Sequence, residues 1–353
     1  MKAAAILPSR NEPSTIADVS AAVDTALGAR RAVIVHADSS DTPETAERFA
    51  AVSTHAHKIG LTGLVRGKGA QVLAAARCSG PAEAAAVLIV DTDTRNPKAA
   101  VYRALLESVR DGAALAIADY PRHWDEANLT NHVARPLIAA TTGNDVPQPL
   151  AGDLAVSHEA LVTAVRALRT LPAELSECVD GYGIDAFLLL TAATCGPVVS
   201  IRLDEPKQHA GSFPHLPAIY HQAVPVLLHL TAAWRPSPLP MPPSSALYRV
   251  AARELESARL EEMLSTLDGL IPTALRRYDE RSWPLPVANA WHAVNSTASP
   301  FDAARQLWPH YLLRVRDWLT RGREATTGQR REALAVAHAR LHTAVLTDAG
   351  VLG

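Results

Sequence analysis

The sequence predicts an α/β protein: a mostly parallel β-sheet flanked by helices, followed by a helical C-terminal region. Three observations carry that expectation. Short apolar runs alternate with segments of helical period through the N-terminal part of the chain, the pattern of a sheet with helical crossovers. The runs lack the apolar–polar alternation of a half-exposed strand, so they read as strands buried on both faces. Polar clusters follow the runs, at 9–12, 38–41 and 91–94, with 67–69 at a nearby helix start. In open α/β sheets ligands bind beyond the carboxyl ends of the strands, so these clusters converge on one expected site.

Ala3 to Leu7 is apolar and stops at Pro8, giving a strand and then the loop Ser9-Arg10-Asn11-Glu12. Ile16, Val19, Ala22, Val23 and Ala26 recur at helical spacing and predict a helix from Thr15 to Leu27. Ala32 to Val35 is the next strand, ahead of His36-Ala37-Asp38-Ser39-Ser40-Asp41, and Thr42 to Ala51 is the next helix. Gly67-Lys68-Gly69 opens a helix that runs through Ala76. Ala86 to Val90 is a strand ending at Asp91; Lys98 to Val109 is helical, and Leu115 to Ala118 is a strand. The middle of the chain is mixed. It holds a helix from Asn131 to Ala140, a loop at Gln148-Pro149-Leu150-Ala151-Gly152-Asp153, a helix from Asp185 to Ala193 and a late strand from Val198 to Leu203.

Trp234 to Pro243 holds five prolines, which neither a helix interior nor a central strand accommodates. A boundary there divides the chain into a domain over 1–235 and a helical region over 244–353, with helical pattern from Ser244 to Leu275 and from Phe301 to Val351. Trp308, Tyr311, Leu312 and Val315 have helical spacing. Core packing is the plain reading; closure of an acceptor site or a homodimer interface is the alternative.

Composition narrows the function classes. With 353 residues and 48% hydrophobic content, the chain is long enough for a large core. Lys and Arg number 34 against 36 Asp and Glu, so no electrostatic reason for a nucleic-acid partner exists. Aromatics at 5% argue against a base-stacking platform. The cysteines are Cys78, Cys178 and Cys195, an odd number without C-x-x-C spacing, which suggests a reducing compartment. The N-terminal apolar run is too short for a signal peptide, and no apolar stretch reaches membrane-spanning length. A cytoplasmic protein without membrane association is the expectation.

Asp91-Thr92-Asp93 closes a strand with two carboxylates. Such a pair suits a hard divalent cation, Mg²⁺ or Mn²⁺, that also contacts substrate phosphates. Aspartate is equally common at strand ends and helix caps, and Thr94-Arg95-Asn96-Pro97 looks like a helix start, so a turn is the competing reading. Lys68 lies between glycines that let backbone approach a ligand; it is a point charge for phosphate or a solvated turn lysine. The segment is neither a Walker loop nor a dinucleotide fingerprint. Asn11-Glu12, read alone, is a helix cap; a hydrogen bond to a ribose is the alternative. His209 alone reads as structural, and Asp185 as a charge at a helix N-terminus.

Taken in order, the clusters L-P-S-R-N-E, D-S-S-D, R-G-K-G, D-T-D, Q-P-L-A-G-D, G-Y-G-I-D and K-Q-H resemble the GT-A-fold glycosyltransferases of the glucosyl-3-phosphoglycerate synthase and mannosylglycerate synthase type. The segment Thr130 to Leu137 adds to the resemblance, which spans about residues 3–225. It implies a nucleoside-diphosphate sugar donor (a UDP- or GDP-hexose), a divalent metal and transfer with retention of configuration. It implies that Leu7, Pro8, Ser9, Asn11 and Glu12 line the nucleoside pocket, with Glu12 on ribose and Ser39 near the base. Gly67 and Lys68 would contact the nucleotide. Asp93 and His209 would ligate the metal, with Asp91 on ribose or behind the ligands and Thr92 between them. Leu150, Ala151 and Gly152 would face the sugar. Asp185 stands where relatives have a sugar-orienting glutamate. Relatives hold an acceptor phosphate on Gly-Arg-Val-Thr; the segment here is Ala127-Asn128-Leu129-Thr130. Thr130 persists, but Asn128 is no substitute for an arginine fork. This departure argues against 3-phosphoglycerate and leaves a small hydroxylated acceptor, glycerate-like or from specialised metabolism.

The resemblance implies a same-face attack in which Lys207 and the cation offset charge on the departing diphosphate. Double displacement would need a carboxylate at the anomeric carbon, for which Asp153 and Asp185 are the residues to test. A sugar nucleotidyltransferase is the enzymatic alternative, although Pro8-Ser9-Arg10-Asn11-Glu12 lacks the expected glycines. A catalytically silent nucleotide-sugar-binding homologue is the non-enzymatic one.

Overall fold

The computed structural model describes residues 2–28, 31–209, 211–234, 236, 248–272 and 282–348. The chain forms two compact units. The first comprises 1–120 and 148–210, and the second 121–147 and 211–353. Residues 121–147 therefore group with the C-terminal part, a division that differs from the sequence boundary. Of the proline-rich segment at that boundary, all but Trp234 and Pro236 lies outside the described residues.

The first unit opens with β1 (Ala3–Ser9), α1 (Ile16–Leu27), β2 (Val33–Asp38), α2 (Glu44–Ala51) and β3 (His57–Leu61). It continues with α3 (Lys68–Ala76), α4 (Ser79–Glu83), β4 (Ala86–Ile89), α5 (Ala99–Arg110) and β5 (Leu115–Asp119). The chain then enters the second unit with β6 (Arg122–His123), a π-helix (Thr130–Ala134) and α6 (Arg135–Thr142). It returns to the first with β7 (Leu154–Ser157), α7 (His158–Ala167), α8 (Ala173–Asp180), α9 (Ile184–Ala192) and β8 (Val198–Arg202).

The sheet order is β3-β2-β1-β4-β7-β5-β8. Every pairing is parallel except those of β7, which runs antiparallel between β4 and β5. All seven residues of β1 and all four of β4 are buried, as strands covered on both faces must be. Ala3, Ala5 and Leu7 point into one core with Ile16, Val19 and Val23 of α1 and Tyr102, Leu105 and Leu106 of α5. The edge strand β3 is only half-buried.

In the second unit, α10 (Leu216–Ala232), β9 (Val250–Ala251), α11 (Ser257–Leu270), α12 (Leu285–Ser296), α13 (Pro300–Gly322) and α14 (Thr327–Asp348) follow. The segment expected to be helical from Ser244 thus includes a short strand, β9, paired with β6; its helix begins only at Ser257, and 244–247 and 273–275 lie outside the described residues. The expected helix from Phe301 to Val351 is broken into α13 and α14, with 349–351 outside the described residues. Tyr311, Leu312 and Val315 are fully buried in α13, and Tyr311 stacks on Tyr220 with ring centroids 4.9 Å apart, which is the core-packing reading of that face. Among the described residues no helix is long and apolar enough to cross a membrane.

His36 sits at the centre of β2 without exposure. Its Nε2 lies 2.6 Å from Ser9 Oγ, while the Ser9 hydroxyl donates to Asp38 Oδ1 at 2.9 Å. Burial pushes the imidazole down to about 4, with Asp38 pulling weakly the other way. Above pH ~6.5 His36 is neutral in folded and unfolded chains alike. As pH falls from there toward about 4, the unfolded chain binds a proton that the folded chain refuses, so stability is lost. The loss at pH ~4.5 is expected to be about 2–3 kcal/mol. His36→Gln is expected to flatten the pH 7 to 4.5 difference in urea unfolding free energy by that amount.

Candidate active site

The ends of β1, β2 and β4 lie side by side. Ser9 pairs with Asp38 in register, and Thr92 Oγ1 donates to Pro8 O at 2.9 Å, which fastens the D-T-D segment to β1. Asn11, at φ 58°, caps no helix: α1 begins at Ile16 without a side-chain cap. Instead Asn11 Nδ2 donates to Asp41 Oδ2 at 2.7 Å, and Asp41 N donates to Asn11 Oδ1 at 2.9 Å. The two polar loops are thereby tied together. Glu12 accepts from Thr15 Oγ1 at 3.3 Å. Burial, then the nearby Asp93, raise its carboxyl above the usual range. Leu7 projects into the hydrophobic core, so its backbone is what it offers to a strand-end site.

Behind the D-T-D segment runs a ladder of alternating charges. Lys68 Nζ lies 2.9 Å from Asp185 Oδ1 and 2.9 Å from Asp91 Oδ1. Lys207 Nζ lies 3.2 Å from Asp91 Oδ2 and 3.0 Å from Asp153 Oδ1. The Tyr120 hydroxyl donates to Asp153 Oδ2 at 2.9 Å, and Asp91 N donates to Asp153 Oδ1 at 3.1 Å. Burial would raise Asp91, but the ammonium groups of Lys207 and Lys68 outweigh it and hold Asp91 well below the usual carboxylate range. Burial likewise opposes the charge on Lys207 and Lys68; their carboxylate partners prevail and keep both protonated. Asp185, in the first turn of α9, is pushed up to about 6 by burial, with Lys68 opposing.

The glycines around this ladder serve backbone packing. A Cβ on Gly69 would meet Val179 O at 1.7 Å, and one on Gly67, at φ 142°, would meet Asp180 O at 2.3 Å. Gly69 N donates to Gly181 O at 3.2 Å. The two glycines let the start of α3 press against the α8–α9 link, which sets Lys68 opposite Asp185. Both glycines thus pack closely on another chain segment, and Lys68 is an ion-pair partner instead of a solvated turn lysine. Gly152, in the turn before β7, leaves room for the Asp91 carboxylate, whose oxygens would lie 2.0 and 2.1 Å from a Cβ. Leu150 and Ala151 belong to the same turn, closed by Ala151 N donating to Gln148 O at 3.0 Å.

Asp93 and His209 meet because two loops are stitched together. Arg95 N donates to Gln208 O at 2.8 Å, and Gln208 N donates to Asn96 Oδ1 at 2.9 Å. His209 Nδ1 is then 3.8 Å from Asp93 Oδ2. Neither aspartate caps α5, which starts at Ala99. Burial and the Asp91 charge push Asp93 up to about 6. The carboxylate oxygen suits a hard cation such as Mn²⁺ or Mg²⁺, and the imidazole nitrogen beside it favours a transition ion such as Mn²⁺ over Mg²⁺. Among the described residues no group of three or more His, Cys, Asp or Glu could hold a metal. The pair would therefore leave most of a cation's coordination sphere to substrate phosphates and water, as such ions favour.

Asn128 and Thr130 belong to the second unit and are buried there, with Asn128 Nδ2 donating to Asp125 O at 3.1 Å. Two participants escaped the sequence reading. Tyr120 carries no local signal. Gln71 sits three residues after Lys68, on the same face of α3. Its Nε2 shares two N–H protons among three acceptors, Ser9 O at 2.5 Å, Ala37 O at 3.0 Å and Ser39 Oγ at 3.1 Å.

No family model matches the sequence, and no curated protein matches it. Solved structures do. Glucosyl-3-phosphoglycerate synthase from Mycobacterium tuberculosis, in complex with Mn²⁺, uridine diphosphate and phosphoglyceric acid, is similar with a TM-score of 0.51. The identity is 24%, over 65% of this chain and 78% of that one. The complex with Mn²⁺, uridine diphosphate and glucosyl-3-phosphoglycerate gives a TM-score of 0.50 at 24% identity, over 67% and 81% of the two chains. The complex with Mn²⁺, UDP-glucose and phosphoglyceric acid gives 0.50 at 22%, over the same shares. These likenesses show the fold: a GT-A sheet flanked by helices, with a helical region to its C-terminal side.

Proposed function

We propose that the chain is a divalent-metal-dependent glycosyltransferase that moves a hexose from a nucleoside-diphosphate sugar to a small hydroxylated acceptor. The observation that carries this reading is the Asp185–Lys68–Asp91–Lys207–Asp153 ladder beside Asp93 and His209, built from the loop after β4, the turn before β7, the loop after β8 and the first turns of α3 and α9. The similar solved structures, whose complexes contain Mn²⁺ with uridine diphosphate or UDP-glucose, support it.

Asp93 and His209 would hold the cation, which when bound offsets the charge developing on a departing diphosphate. Lys207, kept protonated in a dry setting by Asp153 and Asp91, is a preorganised positive charge for the same leaving group. Pro8, Ser9, Asn11, Glu12 and Ser39 frame the nucleoside end. Gly67 and Lys68 contact the nucleotide, Asp91 lies on the ribose or behind the metal ligands with Thr92 between Asp91 and Asp93, and Leu150, Ala151 and Gly152 face the sugar. Asp185, held by Lys68, orients the sugar hydroxyls. The acceptor oxygen attacks the face that the diphosphate leaves, and a leaving phosphate oxygen takes its proton, which gives retention without a protein nucleophile. Asn128 and Thr130 are assigned to the acceptor. Asn128 offers an amide in place of a guanidinium fork, which disfavours a phosphorylated acceptor.

The test incubates the protein and Mn²⁺ with UDP-glucose, GDP-glucose or GDP-mannose and a panel of glycerate and small polyols. In parallel it receives nucleoside triphosphates with hexose 1-phosphates. Release of nucleoside diphosphate from one donor, without pyrophosphate from any triphosphate, is expected. Pyrophosphate release would instead make the protein a nucleotidyltransferase.

A further inference from the structure

We infer that Gln71 is a positioning residue for nucleoside recognition, acting through the Ser39 hydroxyl; this rests on the glycosyltransferase reading of the site. Strands β1 and β2 stay paired up to Ser9 and Asp38, at the end of the sheet that the proposed function gives to the nucleoside. Buried carbonyls at such an end need donors from somewhere. Gln71, 4% exposed, reaches them from α3. Its amide nitrogen reaches Ser9 O on β1, Ala37 O on β2 and Ser39 Oγ just beyond β2. Ser39 N also donates to Ser9 O, at 3.1 Å. Ser39 is thus held at two atoms, its hydroxyl by Gln71 and its amide by the carbonyl that Gln71 shares.

The position of Gln71 on α3 adds a second consequence. Lys68 and Gln71 are three residues apart and face the same side of the helix. Lys68 engages Asp91 and Asp185, while Gln71 engages Ser9 and Ser39. A single helical turn, fixed at its start by Gly67 and Gly69 against residues 179–181, spans the diphosphate and nucleoside ends of the site. Gln71 then sets where a base and ribose meet Ser39, without needing to touch either.

The test is a double-mutant cycle read by calorimetric binding of UDP and GDP with Mn²⁺, using whichever nucleotide the wild type prefers. Gln71→Met is expected to weaken binding about tenfold, the scale of one well-placed hydrogen bond. In a Ser39→Ala background the same change is expected to cost less than about twofold. A purely structural role would lower the melting temperature in both backgrounds and show no such coupling. Should Gln71→Met not fold, Gln71→Asn, whose amide is one methylene short of Ser39, carries the same cycle. Wild-type affinity in the Gln71 variant, or an undiminished loss in the Ser39→Ala background, would overturn the inference. Binding of neither nucleotide by the wild type would overturn the glycosyltransferase reading, and this inference with it.

Discussion

Lys207→Met is expected to destabilise the protein by about 3–5 kcal/mol, because it strips a buried ion-pair network of a shared cation. Lys207 is 8% exposed and Asp153 has no exposure at all. With the ammonium gone, Asp153 keeps, among the described residues, the Tyr120 hydroxyl and the Asp91 amide, while Asp91 keeps Lys68. Met matches the length of the lysine stem and leaves packing nearly intact, so the loss reports charge and not volume. Urea unfolding at pH 7 measures it. Lys207→Met combined with Asp153→Asn is expected to recover part of the loss, since no uncompensated carboxylate then remains at that end. A loss below about 1 kcal/mol for Lys207→Met would place the lysine in solvent-like surroundings, against the burial seen here.

Gly152→Ala is expected to cost about 2 kcal/mol in stability, by displacing a half-buried carboxylate from two ammonium partners, and to weaken donor binding by more than about tenfold. The added methyl would overlap the Asp91 carboxylate. That carboxylate cannot simply swing aside, because Lys68 and Lys207 grip its two oxygens from either side. Moving it leaves the buried Lys207 ammonium and the half-buried Lys68 ammonium each short of a partner. The Asp91→Ala background separates this mechanism from a backbone effect. There the methyl meets no carboxylate, and Gly152→Ala is expected to be neutral within about 0.5 kcal/mol. An undiminished cost in that background would point to the turn itself.

Much of the first unit was legible because its strands are uninterrupted apolar runs. β1, β2, β4 and β5 appear where those runs are, and the helices between them follow the 3.6-residue period. β3 was not, because His57–Leu61 is a half-buried edge strand with His, Lys and Gly in its five residues. β7 was not, because four residues between long loops give too little pattern, and its antiparallel direction has no local signature. The grouping of 121–147 with the C-terminal part depends on contacts between distant stretches of chain, which no local period records. In the site, Lys68, Asp91, Asp153, Asp185 and Lys207, which the sequence singles out one by one as charged residues, are joined by ion pairs. Glycine at 67 and 69 signals close approach but not the identity of what approaches, so their packing on residues 179–181 had no local signature. Asn11, read alone, suggests a cap, whereas its hydrogen-bond partner, Asp41, is thirty residues away in sequence. Gln71 was overlooked because an amide on a helix is chemically unremarkable until the strand ends it bridges are known.

On the proposed function, Asp93 and His209 present a cation to a nucleotide sugar. Titration calorimetry of UDP-glucose, GDP-glucose and GDP-mannose, each with Mn²⁺ and with EDTA, on wild type and Asp93→Ala tests it most directly, with UDP and GDP as controls for an unusual sugar. The prediction is that one donor binds with Mn²⁺ and that its affinity falls at least about tenfold with EDTA and in Asp93→Ala. Failure of every donor and both nucleotides to bind, or binding indifferent to metal and to Asp93, would contradict it.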